Sequence, residues 1–111
     1  MMNKNVKAIY TVTAVKKGSH DNWGADDWRC FGWYADYETT EESVISNETD
    51  ICEFYYNYAV IEKAYEGLYG TSHSVFEEHG QVWFKFNEKA GKYEHVETPE
   101  WAKNRFGWGI G

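Results

Sequence analysis

Arg29 and Arg105 are the only two arginines in this 111-residue chain, and each stands among rings: Trp28-Arg29-Cys30-Phe31 and Asn104-Arg105-Phe106-Gly107-Trp108. A planar cationic fork makes paired hydrogen bonds to phosphate, and a flat apolar ring beside it stacks on a base, so the combination suits a nucleotide-like anion. A short chain also needs bulk for its core, and six Trp, nine Tyr and six Phe answer that need as well. Both readings are open at this point, and for Arg105 a charge favoured by a helix end is a further alternative.

A third group lies in Gln81-Val82-Trp83-Phe84-Lys85-Phe86-Asn87. Side chains alternate along a strand, which puts Phe84 and Phe86 on one face and Trp83, Lys85 and Asn87 on the other. Phe84 or Trp28 would then stack on a base, Lys85 or an arginine would meet phosphate, and Asn87 would read a base edge through its amide. Asn87 also reads as a turn residue ahead of Glu88.

Catalysis is not signalled. Hydrolysis needs a nucleophile beside a base, or two opposed carboxylates held in place. Ser72-His73-Ser74 reads as a turn, and no GxSxG, GxGxxG or GxxxxGK[ST] pattern occurs. Cys30 and Cys52 lack CxxC spacing and are expected as reduced, partly buried thiols. His20, His73, His79 and His95 are scattered, so neither a metal nor another cofactor is expected.

The elements that must hold these residues follow from the pattern. Val6–Val15, rich in β-branched residues, predicts a first strand, and Lys16–Asp27, with Gly and Asx residues, predicts a long turn. Trp28–Ala35 is its antiparallel partner, with Trp28, Cys30 and Gly32 on one face and Arg29, Phe31 and Trp33 on the other; Gly32 marks a bulge or a close approach. Thr39 and Glu42 offer a capping box for a helix from about Thr40 to Ser46, stopped by a left-handed Asn47.

Glu48–Asn57 fits helix and strand equally. Tyr58–Tyr65 is read as a strand, and Gln81–Asn87 with Lys92–Val96 as a hairpin around Glu88-Lys89-Ala90-Gly91. Pro99 suits the first position of a short helix to about Lys103, and Phe106, Trp108 and Ile110 alternate as in an edge strand. The sum is one α+β domain spanning 1–111: a single antiparallel sheet of about five strands with two or three short helices on one face.

Charge narrows the ligand. Eighteen acidic against eleven basic residues give a net charge of −7, which argues against long nucleic acid as a partner. No apolar run is long enough to span a bilayer, and the N-terminal residues lack the apolar core of a secretory signal, so a cytoplasmic location is expected. The rings of Phe54-Tyr55-Tyr56-Asn57-Tyr58 and Trp101 are candidates for a contact between subunits.

At Trp28-Arg29-Cys30-Phe31-Gly32-Trp33-Tyr34, Asn47-Glu48-Thr49-Asp50-Ile51-Cys52-Glu53, Tyr58-Ala59-Val60-Ile61-Glu62, Gly67-Leu68-Tyr69, Val82-Trp83-Phe84-Lys85-Phe86 and Phe106-Gly107-Trp108-Gly109-Ile110-Gly111, the chain resembles small bacterial and phage proteins. Among them it resembles the phage anti-defence family called Thoeris anti-defence protein one. The resemblance implies a non-catalytic protein that sequesters a cyclic ADP-ribose-type signal intact, as a homo-oligomer (dimer or hexamer) with pockets between subunits and, in some members, a second pocket for cyclic oligonucleotides. It also implies phosphate-binding roles for Arg29 and Arg105; a middle arginine of the family has no counterpart here. The rival expectation is an acidic protein-binding inhibitor of a defence or nucleic-acid-binding protein.

Overall fold

The computed structural model describes residues 8–18, 27–48, 51, 56–65, 80–103 and 108. They form one antiparallel five-stranded sheet, order β2-β1-β3-β4-β5, with β1 Ala8–Lys16, β2 Asp27–Tyr34, β3 Tyr58–Tyr65, β4 Gln81–Asn87 and β5 Lys92–Val96. The α+β class and the five strands agree with expectation. The expected turn at Lys16–Asp27 lies mostly outside the described residues, as do Ser72-His73-Ser74, Cys52 and most of the C-terminal edge strand.

The β-branched run of β1 sits at the centre of three strands, where both of its faces are covered: Thr11 to Val15 are all buried. One face carries Val12, Ala14, Ala59, Ile61, Phe84 and Tyr93 under helix α1, Tyr37–Ile45, which adds Tyr37 and Val44. The other carries Val15, Val60 and Trp83 beneath a 3-10 turn at Glu100–Ala102 and Trp108. The two helical pieces among the described residues therefore cover opposite faces, not one. The difference follows from Ala102, which is small enough to sit against Val15 and Val60, and from Trp101, whose ring meets Trp83.

Helix α1 starts earlier than the Thr39-to-Glu42 capping box predicts. Asp36 is the cap: its Oδ2 accepts from the Thr39 amide at 2.8 Å and from the Thr39 hydroxyl at 2.8 Å. A carboxylate is the stronger acceptor for free amides at the positive end of a helix. These bonds hold the Asp36 carboxyl below its ordinary pKa. Asn47 follows the helix with φ 56°, the left-handed stop expected of it. Pro99, expected inside a helix, instead precedes the 3-10 turn with ψ 148°.

Asn57 fastens the beginning of β3. Its Oδ1 accepts from the Lys17 amide at 2.9 Å and its Nδ2 donates to the Lys17 carbonyl at 2.8 Å, so the amide side chain continues the ladder where the strand ends. In the β4–β5 hairpin Gly91 takes φ 67°, a conformation that strains residues carrying a Cβ.

Candidate functional site

The register of β2 against β1 decides where its side chains point. Pairing runs from Trp28 with Val15 to Cys30 with Thr13, then resumes with Gly32 opposite Val12, leaving Phe31 as the extra residue of a bulge. Gly32 has φ 150°, which residues with a side chain rarely adopt. The bulge reverses the alternation beyond it. Trp33 therefore shares a face with Trp28 and Cys30, whereas unbroken alternation would have put it with Arg29 and Phe31.

Arg29 pairs with Ala14 and so stands on the α1 side, where its guanidinium carbon lies 5.0 Å from the centre of the Phe31 ring. Phe31 meets Tyr56 edge-on at 6.1 Å, and the Tyr56 hydroxyl donates to Asp27 Oδ2 at 3.3 Å. Burial, together with the neighbouring Asp27 carboxylate, raises the Tyr56 pKa, while the Arg29 charge opposes the rise. The cation, the acid and two rings thus form one cluster at the outer edge of the sheet. Arg29 has no carboxylate partner within 4 Å among the described residues.

Beside the bulge, between β2 and α1, lies a cavity of about 270 Å³ lined by Val12, Phe31, Gly32, Trp33, Tyr34, Ser43, Glu48 and Ile51. Apolar walls carry a few polar groups at one end, the usual make-up of a small-ligand site. The Tyr34 hydroxyl donates to Glu48 Oε1 at 2.9 Å, and this bond to an anion raises the Tyr34 pKa. Ser43, Tyr34 and Glu48 continue into a smaller adjoining hollow of about 140 Å³ with Thr39, Glu42 and Ser46.

The expected site residues do not all meet. Trp28 lies on the opposite face of β2, 40% exposed, with its ring edge-on to Trp108 at 5.5 Å. Phe84 is fully buried beneath α1, so its ring is no stacking platform; its strand neighbours and helix packing claim both sides. Asn87 serves the hairpin: its Oδ1 accepts from the Lys89 and Ala90 amides at 3.0 and 3.3 Å, and its Nδ2 donates to Glu94 at 3.1 Å. It sits on β4, three strand spacings or about 14 Å from β2. Arg105 lies outside the described residues.

Other expectations shift too. Cys30 is an exposed free thiol, because it lies on the end strand β2, whereas Thr13, its partner across the ladder, lies on the interior strand β1. Of the rings proposed for a subunit contact, Tyr56 is buried, and Tyr58 and Trp101 pack against each other at 5.1 Å. Among the described residues the exposed large rings are Trp28, Trp33 and Tyr65. The sequence reading missed Tyr34, Ser43, Glu48 and Ile51. The suspected bulge at Gly32 was the one signal pointing there, since a break in the ladder next to a helix leaves unfilled space.

No helix among the described residues is long and apolar enough to cross a membrane, and no group of three or more His, Cys, Asp or Glu among them could hold a metal ion. In comparisons with known proteins the chain matches no family model, and no curated protein or solved structure is significantly similar to it.

Proposed function

We propose that the protein binds and sequesters a small cyclic nucleotide of the cyclic ADP-ribose type without degrading it, acting in the cytoplasm where such a signal is made. The observation that carries this reading is Arg29 held 5.0 Å over Phe31, which is itself a wall of the 270 Å³ cavity. A guanidinium beside an aromatic wall supplies a phosphate grip and an apolar surface for a base in one place. In a chain of net charge −7, such a local cation is what makes a compact anion acceptable while long polyanions are repelled.

Sequestration, not turnover, suits the cavity. Its polar groups are a phenol, a serine hydroxyl and a carboxylate, and the serine hydroxyl is committed to the Thr40 carbonyl at 2.7 Å. The phenol donates to Glu48 at 2.9 Å, and that bond raises its pKa, away from the phenolate that nucleophilic attack would need. Trp28 and Trp33, exposed on the opposite face of the outer strand, favour a second copy of the chain packing at that edge, and Arg105 is the proposed second phosphate contact.

The test is retention followed by release. Protein incubated with cyclic ADP-ribose isomers, washed and then heated should return the same molecule, and Arg29→Ala should retain none while melting at an unchanged temperature. Recovery of a cleaved product would mean a hydrolase. Failure of the unmodified protein to retain any isomer would favour a protein-binding inhibitor, for which its acidic surface and exposed tryptophans would be the contact.

A further inference from the structure

Resting on the nucleotide-binding reading, we infer that the Glu48–Tyr34 pair at the polar end of the cavity is a subsite for ribose hydroxyls, separate from the phosphate grip at Arg29. The two ends of the site have opposite charge. Arg29 stands on one side of Phe31, and the Glu48 carboxylate stands within the cavity that Phe31 lines. A phosphate cannot lie against Glu48 without repulsion, so whatever reaches that end must donate hydrogen bonds instead.

Glu48 is prepared for such a donor. One oxygen, Oε1, already accepts from the Tyr34 hydroxyl at 2.9 Å, which fixes the carboxylate's direction, and its other oxygen has no hydrogen-bond partner among the described residues. Glu48 is exposed and follows the left-handed Asn47, so it does not stabilise helix α1 from within. A carboxylate presented beside an aromatic wall suits the hydroxyls of a ribose, which place donors on adjacent carbons. Tyr34 is then a positioning residue, acting through Glu48.

Retention is measured with cyclic ADP-ribose and with analogues lacking its ribose hydroxyls one at a time, on the unmodified protein and on Glu48→Ala, Tyr34→Phe and Arg29→Ala. One deoxy analogue should bind the unmodified protein about tenfold more weakly than the parent, the loss expected for one hydrogen bond to a charged group. Glu48→Ala should weaken the parent by the same factor and leave that analogue unaffected, and Tyr34→Phe should do the same to a smaller degree. If Glu48→Ala leaves the preference for the parent over every deoxy analogue unchanged, or weakens all of them equally, the ribose subsite is wrong, although Arg29-dependent retention stands. If the unmodified protein retains neither parent nor analogue, the nucleotide-binding reading fails and takes the subsite with it.

Discussion

On the face of the sheet away from α1, rings are spent on one another: Trp83 meets Tyr58, Trp101 and Trp108 edge-on at 5.4 to 6.3 Å, and Trp108 meets Trp28 at 5.5 Å. The buried Glu62 is absorbed there too, its Oε2 accepting from Gln81 Nε2 at 2.9 Å while Gln81 Oε1 accepts from the Trp83 indole at 3.2 Å. On the α1 face the rings nearest β2 stop short of filling the space, and Phe31 is left with a guanidinium above it and a cavity beside it. Both faces draw on the same residue types. What separates them is ladder regularity: unbroken pairing brings side chains into contact, whereas a bulge under a helix leaves room.

The contrast can be broken most severely by Trp83→Ala, which removes the ring shared by Tyr58, Trp101 and Trp108. It should cost about 3–5 kcal/mol in urea unfolding; a loss near zero would mean that the ring cluster is ornament and the two faces do not differ in kind. Arg29→Ala should reverse the pattern, lowering retention of a cyclic nucleotide by about 2–3 kcal/mol through lost charged hydrogen bonds, with stability changed by less than about 0.5 kcal/mol.

Gly32→Ala sharpens the role of the bulge. A side chain at φ 150° should cost about 1–3 kcal/mol even though nothing lies within 4 Å of the new methyl, so the penalty comes from the backbone and not from a clash. Tyr93→Phe tests a single bond in the α1-side core: its hydroxyl donates to the Tyr56 carbonyl at 2.7 Å, and an orphaned buried carbonyl should cost about 1–2 kcal/mol in the same unfolding assay.

The smallest effect is expected at the cap of α1. The Asp36 pKa is lowered in the folded state by its bonds to Thr39, so its contribution is present above the ordinary carboxylate pKa and fades as pH falls through the lowered value. Asp36→Ala should lower the unfolding midpoint slightly at neutral pH and should flatten the acid end of the stability profile. An unchanged profile would show that the cap is not coupled to folding.

Much of the scaffold was readable from periodicity. Tyr58–Tyr65, Gln81–Asn87 and Lys92–Val96 are strands with the bounds expected of them, because β-branched and aromatic runs between turn residues admit few other conformations. The helix cap was misplaced because Asp36 and Thr39 both offer side-chain acceptors, and the stronger carboxylate of Asp36, together with burial of Tyr37, sets the earlier start. The site was harder. Phe84 and Asn87 carry the right chemistry, but burial and hairpin geometry claim them first, and neither competition shows in a local pattern. Tyr34 and Glu48 meet across 14 positions only because α1 folds back along β2, a juxtaposition that local sequence spacing does not encode.

The interruption at Phe31 has an effect beyond the cavity. Among the described strands β2 is the outermost on its side, and an outermost strand of eight residues with Trp33 60% exposed would be a template for indefinite strand-by-strand growth of one copy upon another. A bulge at its middle bends the backbone out of register with any straight newcomer. The kink beside the cavity thus also steers copies of the chain away from open-ended stacking and toward contacts through side chains.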